Sequence, residues 1–392
     1  MNLFIKIYIL LSVALVLFDL VFLAVKNIKT NEFYPRNSKL ENTIRKEIGL
    51  RRETNAFSPD FLKDLSLQLS KTKNLITLQS VLESEPDASD WFRATIYEKI
   101  DVYRKKTDYE QAFYTYVISC FNYSEELIPA YFLDRFLTFL DSNSLYTFSN
   151  TMNAIYRFGQ VNLMLLAIDK ADGRGKFYHK KLLTDGILAS RVDLEQLTTK
   201  LVERFYQYSP HMQECLLDVF RMGKGNASDL CMELIHNSDL DEQVRYSAMR
   251  YFSKHPSEPS REYFLRTLHN HDAPWVEQML AIQSLSRYHD PEVYEMIKGK
   301  ATSRHWYVRI NAVEYLYHQG INQEEIAQIL RMQDKYASEA LLYQYRDDHE
   351  MTMFMIRTIQ SIEQKGEQTD EQQNQAVSSE EENKTEVAVS NV

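Results

Sequence analysis

Residues 239–248 read Asp239-Leu240-Asp241-Glu242-Gln243-Val244-Arg245-Tyr246-Ser247-Ala248. From Val244 onward, positions i, i+4 and i+5 (Val244, Ala248, Met249) are apolar or small, the spacing of one helix face. The spacing returns at a fixed period. Met212, Val244, Val276 and Val308 form a column, since 244 − 212, 276 − 244 and 308 − 276 all equal 32. The next column reads Gln213, Arg245, Glu277 and Arg309. Four residues past the first column stand Leu216, Ala248, Leu280 and Ala312; five past it, Leu217, Met249, Ala281 and Val313. A second helical stretch follows each copy: Ala227 to His236, Pro259 to Leu268, Pro291 to Lys300, and Asn322 to Arg331. A helix pair cannot bury its apolar face alone, so repeated pairs must stack. Small residues at Ala248 and Ala312 let stacked helices approach closely.

Upstream, the chain continues as helix after helix. Ser58-Pro59-Asp60 predicts a helix start, a cap residue followed by Pro in the first turn. Asp87 to Lys105 reads as another helix, with Trp91, Ile96, Ile100 and Tyr103 on one face. Residues 109–158 are rich in aromatics: Phe113, Tyr116, Phe121, Tyr131, Phe132, Phe136, Phe139, Tyr146, Phe148 and Tyr156. Aromatic stripes at this spacing predict core. No sustained two-residue alternation calls for a sheet. Only 10 Gly and 9 Pro occur in 392 residues, too few for a turn-rich β fold. The fold class expected is all-α.

Asp239 to Ala248 resembles the first helix of a HEAT repeat, in which two Asp precede Val-Arg and a small residue follows. Asp290-Pro291-Glu292-Val293 is similar to the Asp-Pro-Glu opening of the second helix in such repeats. Asp272-Ala273-Pro274-Trp275-Val276 and Trp306-Tyr307-Val308-Arg309 continue the pattern with departures: Glu277 replaces the family's Arg, and the last copy lacks the acids. The match covers residues 205 to 335. The resemblance implies an α-solenoid of antiparallel helix pairs that binds other proteins. In that family the Asp and Arg columns can pair between adjacent copies, which implies structural pairing or else a binding role for Asp241, Arg245 and Arg309, with Asp239 a further repeat position.

The N-terminus is of a different kind. Leu3 to Val25 is almost wholly apolar, broken by Lys6, Ser12 and Asp19. A helix needs about 20 apolar residues to span a bilayer, so this run predicts one transmembrane helix, uncleaved because no A-x-A pattern precedes Lys26. Lys26, Lys29, Arg36, Lys39, Arg45 and Lys46 follow it, while little beyond Lys6 precedes it. The positive-inside rule then places the solenoid on the cytoplasmic side of a single-pass protein; the membrane expected, from the general style of the sequence alone, is the inner (cytoplasmic) one. Two readings of Asp19 stay open: contact with a partner in the membrane, or tolerance near the helix end. At the other end, residues 363–392 lack aromatics and carry eight acids against two lysines, a net of −6, which predicts a disordered acidic tail. The organisation expected is therefore 1–26 anchor, 27–57 basic juxtamembrane linker, 58–204 degenerate helical repeats, 205–362 HEAT-like repeats and 363–392 tail. Cys120, Cys215 and Cys231 lie in helical patterns and read as reduced, buried thiols.

Motifs for chemistry are scarce. HExxH, GxSxG, GxGxxG and GxxxxGK[ST] are all absent, and the net charge of −10 argues against nucleic acid as partner. Gly173-Arg174-Gly175-Lys176 lacks P-loop spacing and reads as an interhelical loop. His269, His271, Asp272 and His289 do not follow zinc spacing, and Asp347-Asp348-His349 is explained by helix capping. No catalytic, cofactor or metal residue is expected. Trp275, Trp306 and Tyr307 stand at first-helix starts, where they either anchor a partner or plug repeat junctions. Three functions fit: a membrane-anchored scaffold or adaptor; an accessory or regulatory subunit of a membrane enzyme, for example a glycosyltransferase; and an enzyme whose site is assembled from scattered solenoid residues.

Overall fold

The computed structural model describes Leu15 and residues 37–121, 128–173 and 179–364. The apolar run apart from Leu15, with its Asp19, the basic stretch before Asn37, Arg174 to Lys176 and the tail beyond Gln364 lie outside the described residues. Among the described residues every regular element is helical, and no helix is long and apolar enough to cross a membrane. The chain divides into two compact units, Met1–Leu197 and Thr198–Val392.

The first unit is built from α1 (Ser38–Thr54), α2 (Phe61–Gln68), α3 (Thr72–Ser84), α4 (Ser89–Tyr97), α5 (Ile100–Tyr103), α6 (Asp108–Cys120), α7 (Ala130–Phe136), α8 (Leu145–Phe158), α9 (Val161–Gly173) and α10 (Lys180–Leu188). The division falls within α11 (Leu194–Glu203). Helices pack on their next-but-one neighbours: α1 on α3, α2 on α4, α5 on α7, α6 on α8 and α8 on α10, with α3 also against α6. Side-chain hydrogen bonds tie the stack further. Arg52 bonds Glu85, Tyr103 bonds the carbonyl of Leu69, Thr72 bonds Glu110, and Asn150 bonds the carbonyl of Ala112.

Three local expectations change in this unit. Residues 38–54, assigned above to a linker, form α1, with Leu40, Ile44 and Ile48 buried against the stack. The helix expected from Ser58-Pro59 starts at Phe61 instead. The reason is that the Ser58 hydroxyl and amide both bind the buried carboxylate of Glu47, so Ser58 is not free to cap. The single helix expected over Asp87 to Lys105 is broken into α4 and α5 by a turn at Glu98-Lys99. That turn lets Tyr97 stack on Phe132 at 4.0 Å and Tyr103 on Tyr114 at 4.6 Å.

The second unit contains α12 (Pro210–Met222), α13 (Ser228–His236), α14 (Glu242–Tyr251), α15 (Glu258–His269), α16 (Trp275–Leu285), α17 (Pro291–Lys298), α18 (Trp306–His318), α19 (Gln323–Arg331), α20 (Lys335–Gln344) and α21 (349–364). The first helices of the copies, α12, α14, α16, α18 and α20, pack in series, and each second helix packs on the first helix after it. Four of the first helices fall where the 32-residue column predicted, and the second helices match within two residues. Met212, Val244, Val308, Ala248 and Ala312 are buried. Val276 is half-buried rather than buried. Its helix follows Pro274, one residue later than a 32-residue step from Asp241 would put it (241 + 32 = 273), so Val276 turns partly off the core face.

Tyrosines tie consecutive copies together. The Tyr251 hydroxyl accepts the amide of Ala227 at the start of α13, and the Tyr288 hydroxyl accepts the amide of Ser257 at the start of α15. Each reaches the helix start from the next copy, and at α15 it adds to the Ser257–Ser260 capping box. Asp348 caps α21 through the amide of Met351, as its position predicts.

Candidate functional site

Trp275, Trp306 and Tyr307 come together on one edge of the second unit. Trp275 opens α16, and Trp306 and Tyr307 open α18. The Trp275 and Tyr307 rings stack at 5.3 Å, only 17° from parallel. Trp306 meets Tyr307 edge-on at 4.9 Å, and His305 lies face-on to Trp275 at 6.4 Å. The rings remain 37%, 57% and 52% exposed. A plug in a repeat junction is covered; these aromatics are held by each other on an open rim. Tyr336, in the first turn of α20, extends the edge, 61% exposed with the Arg309 guanidinium 5.2 Å from its ring centre. Sequence reading missed Tyr336 because the last step is shorter: from the cap His305 to the cap Asp334 is 334 − 305 = 29 residues.

The Arg column behaves differently from the family expectation. Arg245 pairs with Glu277 of the next copy, not with an Asp. Glu277, the apparent departure from the motif, is thus the counter-ion of its own column. Asp241 caps α14 through the amides of Gln243 and Val244, and Asp239 is exposed in the preceding loop. Arg309 is buried, and one of its terminal nitrogens donates to the Ser303 carbonyl. The second-helix acid Asp290 does join copies: Arg261 grips both its oxygens at 3.0 Å and reaches Glu292. The Arg261 hydrogen bonds hold the Asp290 carboxyl below its usual range.

The first unit holds a second aromatic surface. Tyr109, Phe113 and Tyr116 on α6 line an open groove of about 500 Å³ with Tyr146 of α8, and Asp108 and Asn150 line it as well. Tyr116, Tyr131 and Tyr146, expected in the core, are exposed, and Phe113 is half-buried; Phe121, Phe132, Phe136, Phe139, Phe148 and Tyr156 are buried as expected. The stripe failed as a core signal at Tyr116 because it sits, with Tyr109, on the face of α6 turned away from the packed interior. Phe in this segment is mostly inside and Tyr mostly at the surface, a distinction the hydroxyl imposes.

The remaining candidates separate in the same way. Cys215 and Cys231 are buried as expected, whereas Cys120, at the end of α6, is exposed. Among the described residues no group of three or more His, Cys, Asp or Glu is placed to hold a metal ion. Comparison with protein-family models, with curated proteins and with solved structures finds no match to this chain.

Proposed function

We propose that the chain is a membrane-anchored HEAT-like α-solenoid that recruits another protein through its aromatic rim. The observation that carries the reading is the Trp275–Tyr307 stack, with Trp306 beside it, left open on successive first helices. Large aromatic side chains pre-ordered by one another offer apolar area to a partner at small entropic loss. The stacked helix order and the 32-residue step support the solenoid reading. The anchor is read from Leu3 to Val25, with the solenoid on the cytoplasmic side by the flanking Lys and Arg. The test is capture from solubilised membranes with the full chain as bait, followed by mass spectrometry. The double variant Trp306→Ala, Tyr307→Ala, both exposed, should fold as the wild type and lose its bound proteins. Retention of every partner by that variant contradicts the rim. Asp19, a carboxyl inside an apolar span, favours a second reading, an accessory subunit held to a multi-span enzyme through the membrane helix.

A further inference from the structure

Near the aromatic rim stands positive charge that no described residue neutralises. Lys300, half-buried, donates to the Oε1 of Gln278 at 3.2 Å, and Gln278 is itself tied to the carbonyl of Ala273 beside Trp275. Burial pushes the Lys300 amine below its ordinary range. Arg304 donates to His305, and Arg309, only 4% exposed, lies against Ser303 with its Nε lacking a hydrogen-bond partner. Among the described residues, none of Lys300, Arg304 and Arg309 has a carboxylate within ion-pair distance. Glu277 is held by Arg245, Asp334 caps α20, and Asp272 is exposed in its loop. A buried cation without a counter-ion is unfavourable, and a carboxylate from outside relieves it.

The backbone points the same way. First helices α12, α14 and α20 are closed by Ser209, Asp241 and Asp334. The starts of α16 and α18, which carry Trp275, Trp306 and Tyr307, have no side-chain cap. Open amides and the helix dipole favour an anion there.

Resting on the rim reading above, we propose that this edge takes an acidic peptide segment of the partner protein. Its carboxylates meet the open starts of α16 and α18 above Lys300, Arg304 and Arg309, and its apolar side chains cover the three rings. Packed helices lie about 8–10 Å apart and an extended chain rises about 3.3 Å per residue, so acids three positions apart reach successive helix starts. A flat anionic membrane fits less well. Lys300 is half-buried and Arg309 is buried, so neither is presented to a plane, and the chain's net charge of −10 opposes such a surface.

The experiment uses the full chain in nonionic detergent, labelled with 5-fluorotryptophan, which gives three ¹⁹F resonances for Trp91, Trp275 and Trp306. The probe is the capped heptapeptide Glu-Leu-Phe-Glu-Leu-Phe-Glu. It should shift the Trp275 and Trp306 signals and leave Trp91, which packs under Arg51 in the first unit, unmoved. Its Gln counterpart should bind at least about tenfold more weakly, as should the exposed-site variant Arg304→Glu with the acidic peptide. Equal binding of the Gln peptide overturns acid recognition and leaves the aromatic rim standing. No shift with either peptide, or shifts only with phosphatidylserine vesicles, overturns it as well. Failure of the rim itself shows separately, as unchanged capture by the Trp306→Ala, Tyr307→Ala variant.

Discussion

Glu110 stands where α3, α5 and α6 meet, and its carboxylate is used four times. It accepts from Thr72, from Lys106 at 2.8 Å, and from the amide and hydroxyl of Thr107, closing the capping box of α6. Burial pushes this carboxyl up, but the bonds from Lys106, Thr72 and Thr107 together outweigh it and hold it at about 2, below its ordinary 4.5. A carboxyl depressed on folding adds stability above its unfolded value and gives it up as pH falls. The expected gap in melting temperature between wild type and Glu110→Gln is therefore full near neutral pH. It should close as pH drops from about 4.5 to about 2, and Gln should cost about 1–2 kcal/mol at pH 7. A gap that persists unchanged at the acid end contradicts this assignment. Ala248 gives a second test of this kind. It is fully buried where α14 meets its neighbours, and Ala248→Asp should cost about 3–5 kcal/mol by burying an unpaired charge. Urea denaturation at neutral pH measures it, and near-wild-type stability would argue against close packing at this junction.

Between elements, the contact of α14 with α16 turns on the Arg245–Glu277 pair, whose side chains are largely covered. Glu277→Arg sets two cations together at a poorly hydrated junction, and a loss of about 2–4 kcal/mol is expected. Adding Arg245→Glu restores opposite charges, so the double variant should recover more than half of that loss, a coupling that a double-mutant cycle reads directly. Additive losses would mean that the pair does not join the helices. This contact also shows what one sequence can and cannot disclose. The 32-residue step was legible because the core columns recur without insertion from Met212 to Val308. Upstream, the caps of the stacked helices α1, α3, α6 and α8 are Asn37, Lys71, Thr107 and Ser144, with steps of 71 − 37 = 34, 107 − 71 = 36 and 144 − 107 = 37. A stack whose step varies leaves no column to align. Trp275, Trp306 and Tyr307 were legible as candidates from position alone. Their stacking, the buried charge of Arg309 and the open helix starts were not, because each depends on which side chain the neighbouring copy supplies. Glu277 looked like a lapse from the motif until Arg245 was placed opposite it.

At the scale of the whole molecule the open matter is what the apolar N-terminal run does for the rim. In the scaffold reading it only holds the solenoid at the membrane. Replacing Leu3 to Val25 with an unrelated apolar span should then leave the captured proteins unchanged, and removing Met1 to Lys26 should release a folded protein from the membrane fraction. Asp19 supplies the sharper test. An ionisable group in a span is unfavourable in lipid unless something there receives it. Asp19→Leu makes the run more apolar, so insertion should be at least as efficient as in the wild type. If the rim alone recruits, the variant inserts and copurifies with the same proteins, and the Trp306→Ala, Tyr307→Ala variant does not. If a carboxyl-dependent contact within the membrane holds a multi-span enzyme, the pattern inverts: Asp19→Leu inserts well and loses that enzyme, while the rim variant keeps it. Quantitative mass spectrometry of the two variants beside the wild type separates these cases, because one lesion lies in the apolar run and the other on a helical edge of the second unit.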